Sequence, residues 1–424
     1  MAQLTDDCFA FSGPLLPVDD LERIIDERIA PVAETEMVTL SAARGRTLAA
    51  DVEAPISLPP FDNSAVDGYA VRHSDLDPAS DTTLAVAERI TAGRAAVHPI
   101  APGTAIRIFT GAPMPDGADT VFMQEDVRVE DGKVIVPPGL KRGSNRRFAG
   151  EDICAGAVAL PAGRILSVAD VALASALGLT ELPVRRRIRV ALFSTGDELT
   201  EPGLPLGRAT LYDANRRLLG GLIESLGATV TDLGILPDDP AQLAPALKAA
   251  ADGHDLVLTS GGVSTGEADH VRDAVEAIGR LVFWRVAIKP GRPVAMGVIA
   301  GATTGANAAF AGLPGNPVAA FVTFVRVVRP LILRLSGAMA PALITLPVRA
   351  AFSYRKKKGR REYVRVALKR AADGVVEAFR HPQEGAGVLT SLTETDGLLE
   401  LPENITTVEP GSTVEFLPYA ILTR

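Results

Sequence analysis

Acidic side chains delivered at the ends of apolar runs are the first residues with chemistry to offer. The run RVALFS is followed by Thr195-Gly196-Asp197-Glu198, and TVTDLGIL by Pro237-Asp238-Asp239-Pro240. A third run, DLVLTS, opens into GGVSTGEADH, which carries Ser260, Gly261, Gly262, Ser264, Gly266, Glu267, Asp269 and His270. Carboxylates converging from three such loops repel one another and any anionic ligand unless a cation lies between them. Mg²⁺ is the economical choice, since it takes one or two carboxylates and completes its shell with phosphate oxygens. Glycines at 261, 262 and 266 let backbone N–H groups approach an anion beside a helix start. Each loop also has a plainer reading: a Gly-Gly turn, and helix caps at Asp238 or Asp239 and at Asp269.

Cations come next. FWRVAIKPGRP sets Arg285, Lys289 and Arg292 around Pro290-Gly291. Strict strand alternation places Arg285 and Lys289 on one face, as an anion clamp or as a solvated edge. Basic clusters recur at 141–147, 185–187 and 355–361. The triplet at 185–187, just before a strand, reads as a solubilised linker. FDNSAVDGYAVR, RIFTGAPMPDGAD and NRRFAGED are polar loops at the ends of β runs, carrying Asp67, Thr110 and Asp152. By composition alone they are turns. No Walker-A sequence, strand-linked GxGxxG, HExxH or GxSxG motif occurs.

Periodicity defines the elements that must position these residues. In VDDLERIIDERI, residues 18–29, Leu21, Ile24, Ile25 and Ile29 share one helical face. From about 54 to 152 short strands and turns alternate, with a hairpin at Asp131-Gly132, which predicts a β-rich domain. Residues 165–178 read as a helix capped by Ser167 and stopped at Gly178. From about 188 to 335 strands alternate with helices, the pattern of a doubly wound, parallel α/β domain. In such a sheet, ligands bind at the carboxyl ends of the strands, where the acid-bearing loops fall. Residues 336–424 alternate again, as a small β-barrel or sandwich.

The 424-residue chain is too long for one core. Its net charge of −8 argues against nucleic acid as the main partner. Two cysteines, Cys8 and Cys154, without metal-ligand spacing argue against disulfides and structural zinc. So few cysteines fit a reducing cytoplasm, and the start, MAQLTDDCFAF, does not resemble a signal peptide. The uncharged stretch from Pro293 to Val325 is long enough to span a membrane, but five glycines and three prolines favour buried strands, a turn and a helix start.

Together, PPFDNSAVDGYAVR, RIFTGAPMPDGAD, RRFAGED, STGDEL, TSGGVSTGEADH, FWRVAIKPGRP and GLPGNPVAAFVTF resemble the MoeA family of molybdopterin molybdenumtransferases, which includes the gephyrin E domain. The motifs come in family order over essentially the whole chain. The resemblance implies four domains: a discontinuous, helical N-terminal domain (1–53 and 153–187), a β-rich insertion (54–152), a central domain like the adenylyltransferase MogA (188–335), and a C-terminal β-barrel (336–424). It implies transfer of molybdenum from molybdate to adenylylated molybdopterin, with AMP released. Glu198, Asp238 and Asp269 would hold Mg²⁺. Thr195, Gly196, the 260–267 loop, Pro290, Gly291, Arg292, Pro314, Gly315 and Asn316 would bind the substrate, and Arg285 and Lys289 would stabilise anionic charge. Asp67, Thr110 and Asp152 would belong to the same site across a homodimer interface. The barrel would add a basic edge from Arg360 to Arg365 and the loop 383–392. Contacts with the adenylyltransferase and with apo-molybdoenzymes would be transient. The family expects lysine where this chain has Arg285, and arginine offers a planar fork instead of a point donor. Two other activities fit parts of the pattern: adenylyl transfer itself, since the central domain resembles that enzyme, and a non-catalytic scaffold of the gephyrin type.

Overall fold

The computed structural model describes residues 15–262, 270–302, 307–339 and 342–422. Ser264, Gly266, Glu267 and Asp269 lie outside the described residues. The central sheet has six strands in the order Thr229–Leu236, Arg189–Thr195, Leu256–Ser260, Asn307–Leu313, Pro293–Ala300, Gly279–Arg285. The first four run parallel. Pro293–Ala300 runs antiparallel to both of its neighbours, a departure from the parallel pattern expected throughout. The reason is length: a parallel crossover needs a dozen or more residues, and 286–292 is far shorter.

Alternation sends successive side chains to two cores. Val190 and Leu192 face one layer with Leu256 and Leu258, while Ala191, Phe193 and Val257 face the other. The second layer is closed by the helices Pro240–Gly253 and His270–Ile278. The first is closed by Asn215–Ser225 and by the helical run from Pro317 to Leu335. The Val18–Arg28 helix also belongs here. Leu21, Ile24 and Ile25 form the apolar face expected, and they join the central core, the helix packing on the run Phe324–Leu335. No helix among the described residues is long and apolar enough to cross a membrane.

Around this centre stand three other units. Thr35–Thr39 pairs with Glu181–Arg185, and Val52–Glu53 with Val158–Leu160, so chain from both sides of the insertion shares one apolar cluster. Ser167 caps the Val168–Ala176 helix through a reciprocal box with Asp170. The insertion holds a six-stranded sheet whose Asp131-Gly132 hairpin has positive φ at both residues. At the C-terminal end, the strands Leu346–Ala350, Arg361–Arg370, Val376–Arg380, Gly397–Leu401 and Thr413–Pro418 close into a barrel.

The basic triplet 185–187 is a clasp rather than a solubilised linker. Arg186 makes a two-pronged pair with the buried Asp255, both contacts 2.8 Å, and Asp255 also accepts the Arg189 N–H at 2.8 Å. Arg185 donates to the Ala33 carbonyl and Arg187 to the Gly227 carbonyl. Asp255→Ala leaves Arg186 facing the strand start without its partner. The expected loss is ~3 kcal/mol in the urea transition of the central domain; an unchanged midpoint refutes the clasp.

Candidate active site

The register of the sheet brings the first two acid loops together. Thr195 lies opposite Leu236 at the carboxyl end of a parallel pair, so Asp197 and Glu198 emerge beside Asp238. Burial raises the Asp238 pKa above the usual carboxylate value, and the charges of Asp197 and Glu198 raise it further, while the His270 charge and a hydrogen bond from the Thr195 hydroxyl oppose them. Its Oδ1 is buried with no hydrogen-bond partner among the described residues. Asp239 is the helix cap instead, accepting from the Ala241 N–H at 3.0 Å. The cap reading thus holds for one of the two adjacent aspartates, and the other is free for chemistry.

Below them lies a cleft of about 810 Å³, at the carboxyl edge of the sheet. Its floor is backbone and small side chains. Gly261 and Gly262 have φ of +92° and +64°, and a Cβ at Gly261 would stand 2.7 Å from the Thr195 carbonyl oxygen. Only glycine takes both that conformation and that approach. Ser194 turns a buried hydroxyl toward this edge with no hydrogen-bond partner among the described residues, and the Thr195 hydroxyl faces Asp238. Gly196 lies directly under Glu198, whose carboxylate folds back over it. Pro314, Gly315 and Asn316 form another wall, and Asn316 leaves its side chain uncommitted as a helix cap.

Pro290 and Gly291 also line the cleft, but the cations around them diverge. Strand Gly279–Arg285 ends at Arg285, and Ile288–Lys289 leaves to pair with Arg361–Glu362 of the barrel. The strict alternation expected for Arg285 and Lys289 therefore fails. Arg285 and Arg292 are exposed and are not on the cleft lining. Lys289 turns into a smaller cavity of about 210 Å³ with Arg365, Arg380 and His381. There it lies 3.2 Å from the buried Glu362, which also accepts from Tyr354 at 2.8 Å and Arg360 at 2.7 Å. The two cavities share Pro290 and Ala386.

Asp67 and Thr110 are partners: the carboxylate accepts both the N–H and the hydroxyl of Thr110, each at 2.8 Å. The two bonds, then the Arg107 charge, hold the Asp67 pKa below its usual value. Asp152 is exposed, its N–H bonded to the Leu58 carbonyl. None of the three lines the cleft of its own chain.

Sequence reasoning missed Asp213 and Asn215. Asn215 Nδ2 reaches Ser260 Oγ at 2.8 Å and the Gly315 carbonyl at 2.6 Å, pinning two cleft loops to the start of a third element. Asp213 is buried on the lining, accepting from the Arg216 N–H. The one available signal is a pair of Asx residues, Asp-Ala-Asn, immediately before an apolar helix in the same edge position as the other acids. The barrel adds Ala386, Gly387 and Leu389 to the same cleft.

With this geometry in hand, the relatives are informative. Three family models match in succession: the MoeA N-terminal region (domain I and II) over residues 16–178, a probable molybdopterin binding domain over 191–334, and the MoeA C-terminal region (domain IV) over 347–419. The chain belongs to the MoeA family. It is 38% identical to the molybdopterin molybdenumtransferase of Haemophilus influenzae over 96% of this chain and 99% of that one. It is 36% identical to molybdopterin molybdenumtransferase 2 of Mycobacterium tuberculosis, covering 94% and 98%. Its fold superposes on the crystal structure of the molybdopterin biosynthesis moeA protein from Pyrococcus horikoshii OT3 with a TM-score of 0.81, at 30% identity, covering 96% and 100% of the two chains. The four-unit architecture, with its central MogA-like α/β domain and closed barrel, is the family's.

The raised pKa of Asp238 carries a stability signature. A carboxyl whose folded-state pKa lies above the ordinary 3.8 favours the fold while protonated and disfavours it once ionised. Asp238→Asn should therefore melt above wild type at neutral pH in excess chelator, with the gap closing as pH falls toward 3.8. Equal melting temperatures at neutral pH would mean that the acid loops do not strain one another.

Proposed function

We propose that the chain is a molybdopterin molybdenumtransferase, which moves molybdenum from molybdate onto the dithiolene of adenylylated molybdopterin and releases AMP. The observation that carries the reading is a pair of neighbouring cavities with Pro290 and Ala386 on both linings. A cleft of about 810 Å³ suits a nucleotide-sized guest. The adjoining cavity of about 210 Å³ is lined by Lys289, Arg365 and Arg380 against Glu362 and Glu384, a small site with surplus positive charge, suited to an oxyanion. One large anionic substrate and one small one meet at Pro290 and Ala386. The near full-length relatives named for this activity support the same assignment.

The residues present fit a divalent cation. Asp238 offers an acceptor with no hydrogen-bond partner among the described residues, pressed by two neighbouring acids. Among the described residues no three acids converge closely enough to hold a metal alone. Glu198 and Asp238 would hold Mg²⁺ with Asp269, and phosphate oxygens of the substrate would complete its shell. The cation would neutralise the phosphoanhydride. The chain's own work is positional. Gly261 and Gly262 admit phosphate close to the backbone, and Asn215 keeps the loops on either side of it in register. Lys289, fixed by Glu362, holds the oxyanion in the smaller cavity. Preorganised charge of this kind stabilises the transferring group without reorganisation.

Asp67, Thr110 and Asp152 enter this reading through a homodimer, facing the cleft of the partner subunit. Adenylyl transfer from ATP is the second reading, supported by the resemblance of the central domain to that enzyme. A cytoplasmic location completes the proposal.

The assay is AMP release from adenylylated molybdopterin with Mg²⁺ and molybdate. Wild type should release AMP faster when molybdate is present, and Glu198→Ala or Asp238→Ala should lower the rate by about 10²-fold or more. Adenylylation from ATP without molybdate-stimulated release supports the second reading instead. Mixing inactive Asp67→Ala and Glu198→Ala subunits tests the shared site. Half of the randomly assembled dimers are hybrids with one intact site each, so about a quarter of wild-type activity should return. No recovery after verified subunit exchange sinks the interface.

A further inference from the structure

The helical run from Pro317 to Leu335 changes pitch in its middle. Pro330 has no N–H for the carbonyl four residues back, and across Phe324–Val328 the backbone takes a π turn, closed by the Arg329 N–H on the Phe324 carbonyl. Arg326 and Arg329, three residues apart on this distorted turn, are only 5% and 9% exposed. Arg326 is matched by Glu22 at 3.5 Å and Glu400 at 3.4 Å. Among the described residues no hydrogen bond or ion pair reaches the Arg329 guanidinium, and its Nε is buried without an acceptor. Burial and the Arg326 charge push its pKa down, with Glu22 opposing from a distance.

That guanidinium lines a cavity of about 230 Å³ between the Val18–Arg28 helix and the chain leaving Leu335. Ile25, Val325 and Leu343 form apolar walls, and Arg334 stands on the lining with its Nε spent on the Ile29 carbonyl at 2.7 Å. The cavity shares no residue with the 810 Å³ cleft and is too small for a nucleotide. A buried guanidinium N–H without an acceptor is costly, and buried unsatisfied groups mark the place of an ion or water. Water returns hydrogen bonds but no charge, whereas an oxyanion returns both through the planar fork.

We propose that this cavity is a binding site for a small oxyanion, a phosphate, sulfate or carboxylate group, held by Arg329 and assisted by Arg334. Glu22 and Asp26, also on the lining, oppose the anion and set its affinity low. Glu22 is occupied with Arg326. Asp26, exposed on its helix, is the competing partner: a rotation toward Arg329 would neutralise the site from within.

The test uses the full-length protein in an anion-poor buffer, titrated with phosphate, sulfate or acetate against sodium chloride of equal ionic strength, and followed by melting temperature and calorimetry. Wild type should be stabilised by an oxyanion beyond the chloride control. Because Lys289 serves the oxyanion cavity beside the barrel, the comparison is made in a Lys289→Met background: part of the response should survive there, and adding Arg329→Met should remove it, with at least tenfold weaker binding. Equal responses to acetate and phosphate assign a carboxylate ligand, and a response to phosphate and sulfate alone assigns a tetrahedral one. Should Arg329→Met not fold, Asp26→Asn decides: severalfold tighter phosphate binding supports the site. A lower melting temperature in Asp26→Asn, with no oxyanion response in wild type, makes Asp26 the partner of Arg329 and overturns the proposal, as does an unchanged response in Arg329→Met.

Discussion

Parallel pairing of Arg189–Thr195 with Thr229–Leu236 is the constraint on which the site depends. Adjacent strands are about 5 Å apart, and their carboxyl ends open in the same direction, so the loop after Thr195 must meet the loop after Leu236. The first loop carries Asp197 and Glu198, and the second carries Asp238. The loops alone would keep these charges apart. The ladder of backbone hydrogen bonds, with Phe193, Val190 and Leu192 buried beneath it, holds them together. Leu256–Ser260, paired on the other side of Arg189–Thr195, brings Gly261 and Gly262 to the same edge.

A second coupling joins the sheet to the barrel. Ile288–Lys289 leaves the central sheet, and its backbone pairs with Arg361–Glu362. Glu362, 1% exposed, would be strongly destabilising in that position unpaired, and Tyr354, Arg360 and Lys289 all donate to it. The same link that anchors the barrel therefore aims Lys289 into the smaller cavity and leaves Pro290 and Gly291 in the wall of the larger one. Arg361 extends the junction to the Val18–Arg28 helix through Asp19. Sheet, barrel and N-terminal helix thus meet around one short segment.

Legibility in the sequence tracked the range of the forces involved. Alternation and helix periodicity are local, so the strands at 189–195 and 256–260, the capped helix after Ser167 and the Asp131-Gly132 hairpin could be read directly. The acid loops could be placed at one edge because a parallel sheet allows no other arrangement. Lys289 could not be aimed correctly, since its direction depends on pairing with residues more than seventy positions away. Asn215 resembled an ordinary helix start, and its role appears only when Ser260 and Gly315 are brought within hydrogen-bond distance. Asp67 and Thr110 read as turn formers, yet they are locked to each other across forty-three residues.

Asp238 and Arg329 share a physical condition with opposite signs. Asp238 is half-buried and Arg329 buried, each has a buried polar atom with no hydrogen-bond partner among the described residues, and each has its pKa driven toward the neutral form. A fold tolerates such a group when strong packing around it supplies the missing free energy, and both stand against well-filled cores. Anything that binds the folded chain and matches the charge lowers that strain and stabilises the fold by mass action. A divalent cation does so at Asp238 and an oxyanion at Arg329. Stability without ligands and affinity for them are then opposed: substitutions that neutralise either residue strengthen the bare fold and weaken the site.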